Sequence, residues 1–117
     1  MARIAIIGSR SRVDRLEVEN LVLSLAPDSI VISGGADGPD TWAEDAARRR
    51  GLGIVIFRPD LDGVTSKFDV TKRYHARNQQ IADAAEVVYA FVATNRKGGT
   101  EDTIKRAERR AIPVHLL

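Results

Sequence analysis

The chain has 117 residues, 44% of them hydrophobic, which suits one domain built on a single core. It has no cysteine, which excludes disulfides and cysteine-ligated metal, and its two histidines, His75 and His115, form no metal motif. No stretch approaches the roughly 20 apolar residues of a membrane span, and a formal charge of +2, with arginine well in excess of lysine, permits phosphate contact without requiring long nucleic acid. The expectation is a soluble, cytoplasmic protein with no membrane partner.

The first predicted strand, Arg3 to Ile7, is continuously apolar rather than alternating, as a strand covered on both faces of a parallel sheet requires. Its turn, Gly8-Ser9-Arg10, leads to a first helix that starts at Asp14 and ends before Pro27. Asp14-x-x-Glu17 has the form of a capping box, and Leu16, Leu21, Val22 and Leu25 form the apolar face. The second strand, Ser29 to Ile32, empties into Ser33-Gly34-Gly35-Ala36-Asp37-Gly38-Pro39-Asp40. Pro39 suits a first helical position, so the second helix is predicted over Pro39 to Arg50, where Gly51 stops it. After a third strand, Gly53 to Phe57, a polar loop opening on Arg58-Pro59-Asp60-Leu61-Asp62-Gly63 extends to about Asp69. It is the longest irregular segment, and such length in a small domain points to function. A third helix over Thr71 to Ala84, a fourth strand over Glu86 to Val92, the turn Gly98-Gly99-Thr100, a fourth helix over Thr100 to Arg110 and a fifth strand over Pro113 to Leu116 complete the chain. This strict alternation predicts an α/β fold, one domain over residues 1–117, with a parallel sheet, right-handed crossovers and helices on both faces.

In an open sheet of this kind ligands bind beyond the carboxyl ends of the strands, where strand order reverses, and all three glycine turns lie on that edge. Gly8, Gly34, Gly35, Gly98 and Gly99 let the backbone approach a ligand, and the helix N-termini behind the turns present N–H groups and a dipole to phosphate. The competing reading is that each glycine serves only a tight strand-to-helix turn. Ser9 and Ser33 belong to the same turns. Arg10 is either a phosphate ligand, through its planar guanidinium, or a solvated loop arginine. Arg77 is a candidate for phosphate or carboxylate and Asn78 for ribose or base, against the alternative of two helix-surface residues. Asp37 and Asp40 flank the second glycine turn, where a carboxylate accepts from ribose hydroxyls or acts as a general acid or base, and Asp40 and Glu44 are the candidate catalytic residues. A structural role competes here too, because Asp in a first turn complements the helix dipole and Thr41-x-x-Glu44 has the form of a capping box. The same holds for Glu101 and Asp102. Trp42 reads as a core or rim anchor, and the arginines late in the second and fourth helices read as solvated faces.

Gly8-Ser9-Arg10, the run from Ser33 to Ala47, Arg77-Asn78 ahead of Ile81-Ala82-Asp83, and Gly98-Gly99-Thr100 with Thr103-Ile104 together resemble the YspA/YpsA-related branch of the SLOG superfamily. That superfamily also holds the Lonely Guy (LOG) phosphoribohydrolases and the Rossmann domain of the DNA-processing protein DprA. The resemblance covers nearly the whole chain. It implies a Rossmann-like three-layer α/β/α sandwich with about five parallel strands. Gly34, Gly35, Gly99 and Thr100 would cradle a phosphate, with Arg10, Asp40, Arg77 and Asn78 around the remainder of the ligand.

The partner so implied is a nucleotide or nucleotide-derived small molecule. DprA-like binding of single-stranded DNA is the alternative, and nucleotide N-glycosidic hydrolysis by Asp40 or Glu44 a second. Single-strand binders stack bases on aromatic side chains, and this chain has only 3 Phe, 1 Trp and 2 Tyr. A homodimer is implied by the related families, and no pattern specifies a cofactor. The chain departs from the LOG motif Pro-Gly-Gly-x-Gly-Thr-x-x-Glu: Thr103 stands at the glutamate position, Asn78 stands where LOG enzymes carry lysine, and the leading Pro-Gly-Gly is absent. Glu101 lies two residues from Thr103, a rotation of roughly 200° on a helix, and is a poor substitute.

Overall fold

Unbroken apolar strands need cover on both faces, and the computed structural model, which describes residues 2–117, provides it. Strands and helices alternate as β1 (Arg3–Gly8), α1 (Arg15–Leu23), β2 (Ile30–Ser33), α2 (Pro39–Arg50), β3 (Gly53–Ile56), α3 (Lys67–Ala84), β4 (Val87–Phe91), α4 (Gly99–Arg109) and β5 (Val114–Leu116). The strands form one parallel sheet in the order β3-β2-β1-β4-β5. Side chains alternate across the sheet with a period of two. Ile4 and Ile6 of β1 therefore enter one core with Val18 and Val22 of α1 and Ala43 and Ala47 of α2. Ala5 and Ile7 enter the other with Ile81 and Ala82 of α3 and Ile104 and Ala107 of α4. The result is the three-layer Rossmann-like sandwich. Ile7 pairs with Ala90 and Gly8 with Phe91, so β1 and β4 end level and their turns emerge side by side.

Several local expectations are corrected. The buried residues of α1 are Val18 and Val22; Leu21 and Leu25 pack at the margin of that core, and Leu16 is 68% exposed. Asp14 makes no side-chain cap, because its carboxylate is held by Arg12, which also donates to the carbonyls of Val92 (3.1 Å) and Leu117 (2.7 Å). The Thr41–Glu44 capping box does not form either. The Thr41 hydroxyl donates to the Gly38 carbonyl at 3.1 Å, while Glu44 turns inward to Ser33. Helix α3 begins at Lys67 rather than Thr71, since the Ser66 hydroxyl accepts the Asp69 N–H at 3.1 Å and caps the first turn. The irregular segment after β3 is correspondingly shorter. Arg50 is not a solvated residue: it donates to the carbonyls of Val22 (2.7 Å) and Leu25 (2.8 Å), tying α2 to the end of α1. Trp42 packs against the α1/α2 core, as expected of an anchor. Among the described residues no helix is long and apolar enough to cross a membrane.

Candidate anion-binding cleft at the carboxyl edge of the sheet

From β1 the chain turns toward β2 and β3, whereas from β4 it turns the opposite way toward β5, so strand order reverses between β1 and β4. A crevice is expected there, and a cleft of about 540 Å³ occupies it. The turn after β1 contributes Gly8, Ser9 and Arg10; the start of α4 contributes Gly98, Gly99, Thr100 and Thr103, preceded by Lys97. Helix α3 lines a further wall with Tyr74, His75, Arg77 and Asn78, and Asp40 reaches it from α2. Two of the three predicted glycine turns thus share one cleft. The third, at Gly34 and Gly35, borders an adjoining cavity of about 300 Å³ with Asp37 and Arg58, and Arg10, Ala36, Tyr74 and Arg77 line both.

The glycines divide by what a Cβ would meet. At Gly8 it would lie 2.5 Å from Pro39 Cγ and 2.9 Å from Phe91 Cβ, so this glycine lets the start of α2 seat on the end of β1. At Gly34 it would lie 2.9 Å from both Arg77 Nη1 and Asp40 Oδ2. At Gly98 and Gly99 it would meet nothing within 4 Å beyond the adjoining residues and the backbone of the helix itself. The space in front of the α4 N-terminus is open, and the first hydrogen bond of the turn is donated by Glu101 N–H to the Gly98 carbonyl at 3.2 Å. The N–H groups of Gly99 and Thr100 precede that bond, in the part of a helix that intrahelical bonding leaves unsatisfied.

Asp40 and Arg77 hold these loops together. Asp40 is 4% exposed and its Oδ2 accepts the Gly34 N–H at 2.9 Å. Burial pushes its carboxyl up to about 6, against the opposing pull of the Gly34 N–H, the Arg77 charge, and the Ala36 and Gly8 N–H groups. The Arg77 guanidinium donates through Nη1 to the carbonyl of Gly34 and, at 3.4 Å, to that of Phe57, and it lies 5.3 Å from the centre of the Tyr74 ring. Burial lowers its pKa, the Asp40 and Tyr74 charges raise it, and the Arg10 charge lowers it further. Asn78 is engaged at both ends, accepting from Arg77 Nε at 3.0 Å and donating to Asp102 Oδ2 at 3.0 Å. For Asp102, burial acts upward but is outweighed by hydrogen bonds from Arg106 and Asn78 and by the charges of Arg106 and His75, so its pKa is held down.

Ser33 and Glu44 are set back from the cleft. The buried Ser33 hydroxyl donates to Glu44 Oε2 at 2.5 Å and accepts the Gly35 N–H at 3.1 Å. Ser9 lines the cleft with its hydroxyl 2.7 Å from that of Ser11. Arg10 lines it too and has no acidic partner among the described residues. The sequence reading missed Tyr74, His75 and Lys97, and gave Thr103 no site role of its own. Tyr74, Arg77, Asn78 and Ile81 recur at the i, i+3, i+4, i+7 spacing of one helix face, a signal that could have found Tyr74. Thr103 is buried with its hydroxyl 3.4 Å from the Gly99 carbonyl. No group of His, Asp and Glu able to hold a metal ion occurs among the described residues.

No protein-family model and no curated protein matches this chain. Solved structures do. DNA processing protein A (DprA) from Streptococcus pneumoniae superposes with a TM-score of 0.80 at 22% identity, over 99% of this chain and 50% of that one. DprA from Helicobacter pylori, described for its single-stranded DNA binding mode, gives 0.79 at 19% identity, over 98% of this chain and 64% of that one. The C-terminal domain of a Pyrococcus furiosus hydrogenase gives 0.56 at 10% identity. The chain has the fold of the DprA Rossmann-like domain, in keeping with the motif resemblance to the SLOG superfamily, and spans about half to two thirds of the DprA chains it matches.

Proposed function

We propose that the cleft binds the phosphate of a nucleotide or nucleotide-derived small molecule. The observation that carries this reading is the open N-terminus of α4, where the fold leaves the face of Gly98 and Gly99 uncovered. A phosphate seated there accepts from the Gly99 and Thr100 N–H groups and the Thr100 hydroxyl, in the field of the helix dipole. Arg10 and Lys97 supply the opposing charge, and Val70, Tyr74 and Ile81 give the sugar and base an apolar wall. The test is a thermal-shift and calorimetric panel of nucleoside mono- and diphosphates, ADP-ribose and NAD, with native mass spectrometry of the purified protein. A ligand present at 100 times its Kd stabilises the native state by about 2.7 kcal/mol. No shift from any compound, and no co-purifying nucleotide, refutes the reading.

A second reading, binding of single-stranded DNA, is favoured by the fold shared with DprA, whose Helicobacter pylori form binds single-stranded DNA. It predicts strongly salt-dependent oligonucleotide binding by fluorescence anisotropy, and absence of binding at low salt refutes it. The hydrolase reading has less support, because Glu44 is engaged with Ser33 away from the cleft and Asp40 is committed to backbone N–H groups.

A further inference from the structure

The adjoining cavity of about 300 Å³ has a lining unlike that of the main cleft. Three guanidiniums border it, from Arg10 after β1, Arg58 after β3 and Arg77 on α3, against one exposed carboxylate, Asp37. Arg58 lies against the Gly35 backbone, so close that a Cβ there would come within 2.7 Å of its Nη1; Gly35 itself sits at φ +70°. Arg10 and Arg58 are exposed and have no acidic partner among the described residues, and Arg77 gives its donors to carbonyls and to Asn78, not to a carboxylate. The charges of Asp40 and Tyr74 support that of Arg77 while the charge of Arg10 acts against it, so Arg10 and Arg58 are the two guanidiniums left for an incoming anion to pair.

Resting on the nucleotide reading of the main cleft, we propose that the Arg10–Arg58–Arg77 cavity is a second phosphate subsite, and that the ligand is a nucleoside carrying separated phosphates, as in a nucleoside 3′,5′-bisphosphate. One phosphate sits at the α4 N-terminus and the other between Arg10 and Arg58. The two cavities are distinct but share Arg10, Ala36, Tyr74 and Arg77 at their seam. Phosphates placed in both are therefore divided by that seam, across which a nucleoside lies on Tyr74. The adjacent phosphates of a diphosphate share one bridging oxygen and lie closer together than phosphates carried on two sides of a ribose, so the latter suit two cavities better. The same separated-phosphate unit occurs as a free nucleotide and as the repeat of a nucleic-acid strand.

The experiment is calorimetric titration of the full chain with AMP, ADP and adenosine 3′,5′-bisphosphate, repeated with Arg58→Ala and Arg58→Lys after circular dichroism confirms that both are folded. The 3′,5′-bisphosphate is expected to bind about tenfold more tightly than AMP at low salt, through one further charge-assisted phosphate contact, and more tightly than ADP. In Arg58→Ala the ratio of bisphosphate to AMP affinity falls toward one, and Arg58→Lys restores part of it. A ratio near one in the wild-type protein, an unchanged ratio in Arg58→Ala, or ADP binding as tightly as the bisphosphate overturns the second subsite while leaving the main cleft standing. Failure of all three nucleotides to bind overturns both. A single-stranded oligoadenylate assigns the source: a further gain in affinity over the bisphosphate marks a strand, and no gain marks a free nucleotide.

Discussion

Asp40 offers a test whose sign and size both follow from its surroundings. Its carboxyl is nearly fully buried and pushed up to about 6 from an ordinary 3.8. The native state therefore binds this proton more tightly than the unfolded chain does, and unfolding free energy falls as pH rises. The contribution is fully present below about pH 4 and lost as pH climbs through about 6. A shift of about two units corresponds to about 3 kcal/mol in all, of which about 2 kcal/mol disappears between pH ~4 and pH ~8. Urea unfolding followed by Trp42 fluorescence, in wild type and Asp40→Asn, isolates the effect. Asparagine keeps one acceptor for the Gly34 N–H but not the second oxygen, and that deficit is an offset independent of pH. Titrations common to both proteins cancel in the difference. The stability of wild type relative to Asp40→Asn is expected to decline by about 2 kcal/mol over that range. A difference that stays flat would show that the carboxyl ionises as freely as in the unfolded chain, one that grows with pH would show that it ionises more readily, and either would refute the reasoning.

Gly99→Ala is expected to leave stability unchanged or raise it by up to about 1 kcal/mol, since alanine is the better helix residue and its methyl group meets nothing outside the helix's own backbone. The same methyl group would intrude on the proposed phosphate seat, so nucleotide affinity in calorimetry is expected to drop about tenfold, by analogy with removal of one charge-assisted contact; unimpaired binding would move the proposed seat away from α4. Gly8→Ala behaves in the opposite way: with Pro39 Cγ at 2.5 Å the added methyl overpacks the α2 seat, at a cost of about 1–3 kcal/mol by urea unfolding. Asn78→Leu keeps the volume but strips partners from Arg77 Nε and Asp102, and is expected to cost about 1–3 kcal/mol in the same assay. Asp102 carries the reverse pH sign to Asp40. Its pKa is held down, so its contribution is present above the ordinary carboxylate range and is lost as pH falls through the folded value; the advantage of wild type over Asp102→Asn therefore shrinks on acidification, and a constant advantage contradicts the assignment.

The strands and α2 were legible because continuous apolar runs, Pro39 and Gly51 are local signals, and the structure places α2 over the same residues, Pro39–Arg50. The phase of α1 was not. Over a helix of 9 residues the buried face depends on how the chain enters it, and that is set by Arg12 holding Asp14 and reaching across to Val92 and Leu117. The start of α3 was misplaced for a related reason. Lys67-Phe68-Asp69 reads as a continuation of the polar loop, with Phe68 68% exposed, and the Ser66-x-x-Asp69 cap lies in a stretch whose hydrophobic pattern gives no helix signal. Alternation of strands and helices predicts a parallel sheet but leaves strand order open. It is the adjacency of β1 and β4 that puts Gly8 and Gly98 in one cleft and leaves Gly34 and Gly35 to the next.

The site residues separate once the fold's own demands are subtracted. Asp40, Arg77, Asn78, Ser33 and Glu44 have the polar groups that suggested ligand chemistry, and each is already engaged by backbone or by a neighbouring side chain. A buried polar group must be satisfied whether or not a ligand exists, so its presence at a sheet edge cannot by itself argue for one. Arg10, Arg58, Lys97 and the Gly99 and Thr100 N–H groups have no such employment: they border open space, and the three side chains carry positive charge without an acidic partner among the described residues. Sequence motifs weight the two groups alike because both supply the same residue types on the same turns. The structure weights them apart, which moves the case for an anion from Arg77 and Asp40, where the motifs concentrate it, to the unpaired residues at the mouth of the two cavities.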